Sequence, residues 1–255
     1  MDRNSNIYTI FFATVVVIVI GVLLSLAAMG LKPLQEQNKR QEKMMDIMYT
    51  IGVDQDFLTS EVIAQGLKLN YKLIEQYFNK YFLKQYALTS EGEIDESVNA
   101  FDINLKTEIK KPEKEQRYPI FIAQKDGKTY YVIPLYGKGL WDDIWGYIAL
   151  EEDLNTVKGV KFGHKGETPG LGAEITKKWF EDQFKGEKIF DKDGTFRGIT
   201  LLKGNKDPEN KDKEDHEIDA ISGSTLTSNG VTNMIQERLK HYLPFFEKIR
   251  NQKNK

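Results

Sequence analysis

Residues 7–31 contain no charged side chain, and residues 11–26 are dense in Val, Ile, Leu and Phe. A run of that length spans the roughly 30 Å hydrocarbon core of a bilayer as a helix. A cleaved signal peptide is the alternative, but it calls for a shorter apolar run and a small-residue cleavage site, and Ala27-Ala28-Met29-Gly30 is a poor one. The pattern predicts a single uncleaved N-terminal transmembrane helix, since no later segment stays apolar for half that length. Residues 34–49 are polar and helix-forming, with Met44, Met45, Ile47 and Met48 near their end, and predict an extension of the same helix.

After a turn at residues 52–56, Leu73, Ile74, Tyr77, Phe78, Tyr81 and Phe82 share one face of a helix expected to end near Tyr86. Residues 91–99 are acidic and predict a loop. The period then changes. Residues 119–124 and 129–136 are β-prone and flank Asp126-Gly127, a strong hairpin signal. Residues 145–150 and 157–162 form a second pair, so the sheet reads as an antiparallel meander. A helix is predicted over residues 173–184 with Trp179, Phe180 and Phe184 on its buried side. Another hairpin is predicted from residues 188–190 and 195–203 around Asp191-Lys192-Asp193-Gly194. The last helix presents Val231, Met234, Ile235, Leu239 and Tyr242, and Pro244 marks its end or a kink. Residues 247–255 are basic and expected to fray. The class is α+β: a transmembrane anchor (1–33), a helical linker and N-terminal soluble part (34–118), a mixed, largely antiparallel sheet domain with helices (119–245), and a basic tail (246–255).

Composition narrows the chemistry. The 255 residues include no cysteine, which excludes disulfides, thiolate metal sites, iron–sulfur ligation and thiol nucleophiles. A net charge of -2 gives no electrostatic case for nucleic acid. Around the span, Arg3 flanks one side and Lys32, Lys39, Arg40 and Lys43 the other, so the positive-inside rule places the large C-terminal part in the cytoplasm.

Three runs hold candidate chemistry. In residues 219–231, Ser222, Gly223, Ser224, Thr225, Leu226, Thr227 and Ser228 sit at or just before a helix start. Such hydroxyls serve as helix caps, and a helix start also favours a phosphate through its unpaired N–H groups and partial positive charge. In residues 163–174, Gly163, Gly166, Gly170 and Gly172 with Pro169 exclude regular structure, leaving a strand-to-helix connection or a loop whose backbone approaches a ligand. In residues 135–143, Gly137 and Gly139 flank Lys138 and precede Leu140 and Trp141. Locally this is a turn with a core tryptophan, although the same residues could wall a flat ring. The run at residues 163–174 is not a nucleotide fingerprint. Ser222-Gly223-Ser224 lacks the glycine that a nucleophile elbow needs, no motif supports a triad of Ser222, His164 and Asp142, and His164, His216 and His241 have no metal spacing.

Together the runs Gly137-Lys138-Gly139-Leu140-Trp141, Gly166-Glu167-Thr168-Pro169-Gly170-Leu171-Gly172 and residues 221–231 resemble the C subunit of the Na+-translocating NADH:quinone reductase, over almost the whole chain. The resemblance implies an FMN-binding domain behind one span. It implies FMN joined by a phosphoester to the last threonine of a Ser/Thr-Gly-Ala-Thr motif, here Thr225, by a flavin transferase. Ser224 stands where that motif has alanine and adds a neighbouring hydroxyl. Ser222, Gly223, Ser224, Leu226, Thr227, Glu167, Thr168, Gly170, Leu171, Gly172, Leu140 and Trp141 are the implied surroundings of the cofactor. The implied role is electron relay towards quinone within a membrane complex, with no catalytic residue beyond the flavin, no metal, and no overall reaction by this subunit alone. The implied partners are the other subunits, the transferase and membrane lipid. The family places the flavin domain on the periplasmic side of the bacterial inner membrane, against the charge count. Two other readings are the G subunit of an Rnf-type ferredoxin:NAD oxidoreductase, and a membrane-anchored non-redox binding domain whose hydroxyl run is only a helix cap.

Overall fold

A computed structural model of the chain describes residues 6–204, 207 and 209–253, so Arg3 and the extreme C-terminus lie outside the described residues. Two compact units result, Met1–Lys43 and Met44–Lys255. Helix α1 (Asn6–Thr50) supplies all of the first that is described. No side chain of residues 7–31 is buried, and that stretch of the helix is apolar on every side. A helix with that distribution fits a lipid surrounding. Among the described residues it is the one helix long and apolar enough to cross a membrane.

The second unit begins with the last turns of α1, where Met44, Ile47 and Met48 are buried. Helix α2 (Gln55–Ala64) is capped by Asp54, whose carboxylate accepts from Phe57 N–H at 2.8 Å. Helix α3 (Tyr71–Tyr81) is capped in the same way by Asn70. The helix expected to reach Tyr86 stops at Tyr81, and residues Phe82–Leu88 form strand β1. Phe82 still stacks on Phe78, with centroids 4.7 Å apart, so the helical spacing persists while the backbone turns to pair with β2.

Strands β2 (Tyr118–Lys125), β3 (Lys128–Lys138), β4 (Asp143–Leu150) and β5 (Val157–His164) complete a five-stranded sheet of order β1-β2-β3-β4-β5, with every pair antiparallel. The β2–β3 turn has positive φ at Asp126 and Gly127, as a tight hairpin requires. Alternate residues serve two cores. Ile120, Tyr131, Ile133, Leu135 and Ile148 face one, and Phe121, Ala123, Val132, Tyr147 and Ala149 face the other. The second core is closed by the end of α1 with α2 and α3; the first is closed by the C-terminal helices. Burial on both faces explains why these strands read as nearly continuous apolar runs.

Helix α4 (Leu105–Glu108) is a single turn between β1 and β2. Residues 173–184 are not one helix. A 3-10 turn (Gly172–Thr176), α5 (Lys178–Glu181) and a second 3-10 turn (Asp182–Phe184) follow one another, with extended backbone at Lys177. That break keeps Phe180 and Phe184 buried but leaves Trp179 half exposed. The expected hairpin at residues 188–203 survives as one bridge, Phe190 to Phe196. Asn155 Oδ1 accepts the N–H groups of Ile189 and Phe190 at 3.0 and 2.8 Å and occupies the first arm. The second arm supplies β6 (Thr200–Leu202), which pairs in parallel with β7 (Glu217–Asp219).

Helix α6 (Thr225–Lys240) buries Val231, Met234, Ile235 and Leu239, the apolar face expected of it. Pro244 lies in the first turn of α7 (Leu243–Lys253), where its missing N–H costs nothing. The described part of the tail is therefore helical, with Phe245 and Phe246 in the core and Ile249 packed on it. Tyr242 is fully enclosed and donates its hydroxyl to the Pro119 carbonyl at 2.9 Å.

Candidate functional site

Three segments far apart in the sequence meet at the start of α6. Gly223 has φ +75°, a conformation that favours glycine, and a Cβ there would lie 3.0 Å from Leu171 Cδ2, a side-chain tip that would have to shift by a few tenths of an ångström. Ser224 occupies the N-cap position without making a side-chain capping bond. Its carbonyl accepts from Ser228 N–H at 2.9 Å, and Ser228 Oγ accepts from Ile221 N–H at 3.3 Å. The turn is thus closed from behind, while the first-turn N–H groups and their partial positive charge are left uncapped by a side chain.

The hydroxyl run separates by burial. Ser222 and Thr225 are exposed, as is Leu226, whereas Ser224, Thr227 and Ser228 are buried. Thr227 Oγ1 donates to Glu167 Oε2 at 2.6 Å in the interior. The other oxygen, Oε1, accepts from Trp141 N–H at 3.0 Å. Glu167 itself is buried, and its N–H donates to His164 Nδ1 at 3.2 Å. The glycine-rich loop turns back just after it. The Thr168 carbonyl accepts from both Leu171 and Ala173 N–H at 3.1 Å, with Gly170 at φ +76°.

Trp141 is 68% exposed, not a core residue. The four-residue turn closed by Gly139 N–H to the Asp142 carbonyl (2.9 Å) carries it outwards, and its indole N–H donates to Thr168 Oγ1 at 3.2 Å. Leu140, Leu171 and Leu226 are also exposed. Leu171 thus stands against the helix start, Leu226 follows the exposed Thr225, and Glu167 links the Trp141 backbone to Thr227 in the same first turn. Exposed apolar side chains near uncapped N–H groups at a helix start are chemistry that suits a flat ring bearing a phosphate.

The sequence pattern does not single out the supports beneath this surface. Helix α6 crosses β3 closely enough that a Cβ on Gly230 would lie 2.3 Å from the Lys138 carbonyl, and one on Gly137 would lie 2.8 Å from Met234 Cβ. Asp143, buried at the start of β4, receives bonds from Lys106 of α4 and from Lys138. These, with the Tyr136 hydroxyl, hold its carboxyl well below the usual carboxylate range, while burial and the bond to Asp143 push the Tyr136 phenol up. Lys165 Nζ pairs with Asp142 Oδ2 at 2.7 Å on the rim. Gly137 lies within a run that the sequence already marks; nothing local distinguishes Asp143 from Asp142.

The C subunit of the Na(+)-translocating NADH-quinone reductase from Neisseria meningitidis serogroup B is 30% identical over 262 residues, covering 98% of this chain and 96% of its own. The chain belongs to this C-subunit family. The Yersinia pestis member is 30% identical over 251 residues, covering 95% of this chain and 92% of its own. The crystal structure of the Parabacteroides distasonis member superposes with a TM-score of 0.71 at 34% identity, covering 85% of this chain and 96% of that one. Shewanella oneidensis NqrC gives 0.60 at 30% identity, with 77% and 97% covered. Residues 139–240 match the family described as FMN-binding domain. That span includes Leu140, Trp141, the Glu167–Gly172 loop and the whole hydroxyl run. Membership in the C-subunit family makes the chain one subunit of a multi-subunit oxidoreductase.

Proposed function

We propose that the chain holds FMN in phosphoester linkage to Thr225 and relays electrons within the Na+-translocating NADH:quinone reductase. The observation that carries this is the sorting of the hydroxyls: of the run at the head of α6, Ser222 and Thr225 are open to solvent, and Thr225 is the first residue of the helix. A transferase reaches Thr225 without opening the fold. A phosphate on Thr225 lies among the first-turn N–H groups, where its charge is favoured. When bound, FMN supplies reversible one-electron chemistry. Leu140, Trp141, Leu171 and Leu226 offer it an apolar wall that sheds water, and Gly223 lets Leu171 approach the helix start. The other subunits supply the electron donor and acceptor, and lipid holds α1.

Protein co-expressed with a flavin transferase is expected to gain the mass of one FMN phosphoryl group, mapped to the peptide containing Thr225. Thr225→Ala should remove it and Ser224→Ala should keep it, because the Ser224 side chain is turned inwards. Flavin retained by Thr225→Ala overturns the assignment.

The soluble part is assigned to the periplasmic side of the bacterial inner membrane. The family resemblance carries this assignment; Lys32, Lys39, Arg40 and Lys43 weigh the other way, but their count is a bias on orientation and not a determinant. A tag placed after Lys255 should be labelled from the periplasm in whole cells; labelling only after the inner membrane is opened rejects this orientation.

A further inference from the structure

The carboxylate of Glu167 is where the three site segments are joined. It is 4% exposed, with one oxygen on Thr227 and the other on Trp141 N–H, residues 60 and 26 positions away. The slot it fills is made by absence of side chains. A Cβ on Gly139 would lie 2.4 Å from Oε1, and a Cβ on Gly172 would lie 2.3 Å from Oε2 and 2.5 Å from Thr227 Oγ1. A buried carboxylate is costly unless its oxygens receive hydrogen bonds, and bonds to an ionised acceptor are among the stronger ones. The next residue continues the arrangement, because Thr168 Oγ1 accepts the Trp141 indole N–H. Trp141 is thus held at both of its N–H groups while its ring stays exposed. Thr227, two residues past Thr225, is held by the same carboxylate.

We propose that Glu167 is the positioning residue of the flavin site: it does not touch the cofactor, but fixes the exposed Trp141 ring and the first turn of α6 against each other. This rests on the reading of Thr225 as the flavin attachment point. The alternative is that Glu167 only stabilises the loop, with no effect on a ring bound at the surface. The two differ in what they do to the cofactor's environment, because a displaced wall alters the ring's chiral and dielectric surroundings even when the fold is intact.

The test uses the full chain in detergent, expressed with and without the flavin transferase, as wild type, Glu167→Gln, Thr227→Val and Thr227→Ser. Thr227→Val removes the hydroxyl donor at nearly constant volume, and Thr227→Ser restores it. In flavin-free protein, amide exchange at Trp141 and at Ser228, whose N–H donates to the Ser224 carbonyl, should accelerate about tenfold or more in Glu167→Gln and Thr227→Val, the size expected for one lost bond to a charged group. The centre of the sheet should keep its protection, and Thr227→Ser should behave as wild type. In flavin-loaded protein, the visible circular dichroism of the flavin should fall by at least about half in the same two variants, with a shifted midpoint potential and rescue by Thr227→Ser. Unchanged exchange in both variants overturns the brace. Faster exchange with unaltered flavin dichroism and potential overturns its positioning role. A wild type that takes up no flavin overturns both the reading of Thr225 and the positioning role that rests on it, while the exchange arm still shows by itself whether Glu167 joins the three segments.

Discussion

At the scale of single residues, burial decides chemistry that residue type leaves open. Ser222, Ser224, Thr225, Thr227 and Ser228 are nearly equivalent as letters, yet Ser224, Thr227 and Ser228 are buried. The departure from the family motif at Ser224 is therefore set behind the surface. Glu187 shows the same dependence on environment. It is wholly buried, its Oε2 has no partner, and desolvation pushes its carboxyl up to about 7 in spite of Lys213 at 2.9 Å. A carboxyl whose folded pKa lies above its unfolded value binds a proton more tightly in the native state. Its contribution to stability is complete below the unfolded pKa and is lost as pH rises through about 7. The melting temperature should therefore decline between pH 5 and 8, and Glu187→Gln, which cannot ionise, should show a shallower decline. Parallel melting curves for the two proteins across this range would remove Glu187 as the cause.

At the scale of elements, the site depends on how closely α6 lies on β3. That approach is set by glycines, and Gly230 against the Lys138 carbonyl is the tightest point between the two. Gly230→Ala introduces a methyl group where backbone already stands, and neither backbone can yield cheaply. A loss of about 1–3 kcal/mol is expected, the usual cost of overpacking, read from the denaturant midpoint. An unaltered midpoint would mean that the helix rides higher on the sheet than described. The elements themselves were legible to different degrees. The β2–β3 hairpin was announced by Asp126-Gly127, and α6 by the spacing of Val231, Met234, Ile235 and Leu239. The α3–β1 boundary was hidden because Phe78 and Phe82 stack at helical spacing across it.

At the scale of the whole molecule, two different solvents govern the two units. Residues 7–31 of the first unit present apolar side chains on all sides, which fits a lipid surrounding. Met44–Lys255 buries its apolar residues in two cores on opposite faces of one sheet. The C-terminal helix α7 closes the first core with Phe245 and Phe246, so what reads as a charged tail is a structural cover. The residues of the candidate site rest on the rim of the first core and are drawn together from positions 139–142, 166–172 and 222–228.

Features written in neighbouring residues were readable in the sequence by itself: the long apolar run of α1, the meander and the apolar face of α6. Each is a local periodicity or a short string, and its physics is complete within a few turns or one strand. Only the tertiary structure decided that Trp141 is exposed, that β6 pairs in parallel with β7, that Thr225 faces outwards while Ser224, Thr227 and Ser228 do not, and that Glu167 joins Trp141 to Thr227. These depend on hydrogen bonds and close approaches between residues tens of positions apart. No local pattern encodes such contacts, because each partner's own neighbourhood is satisfied equally well without the other.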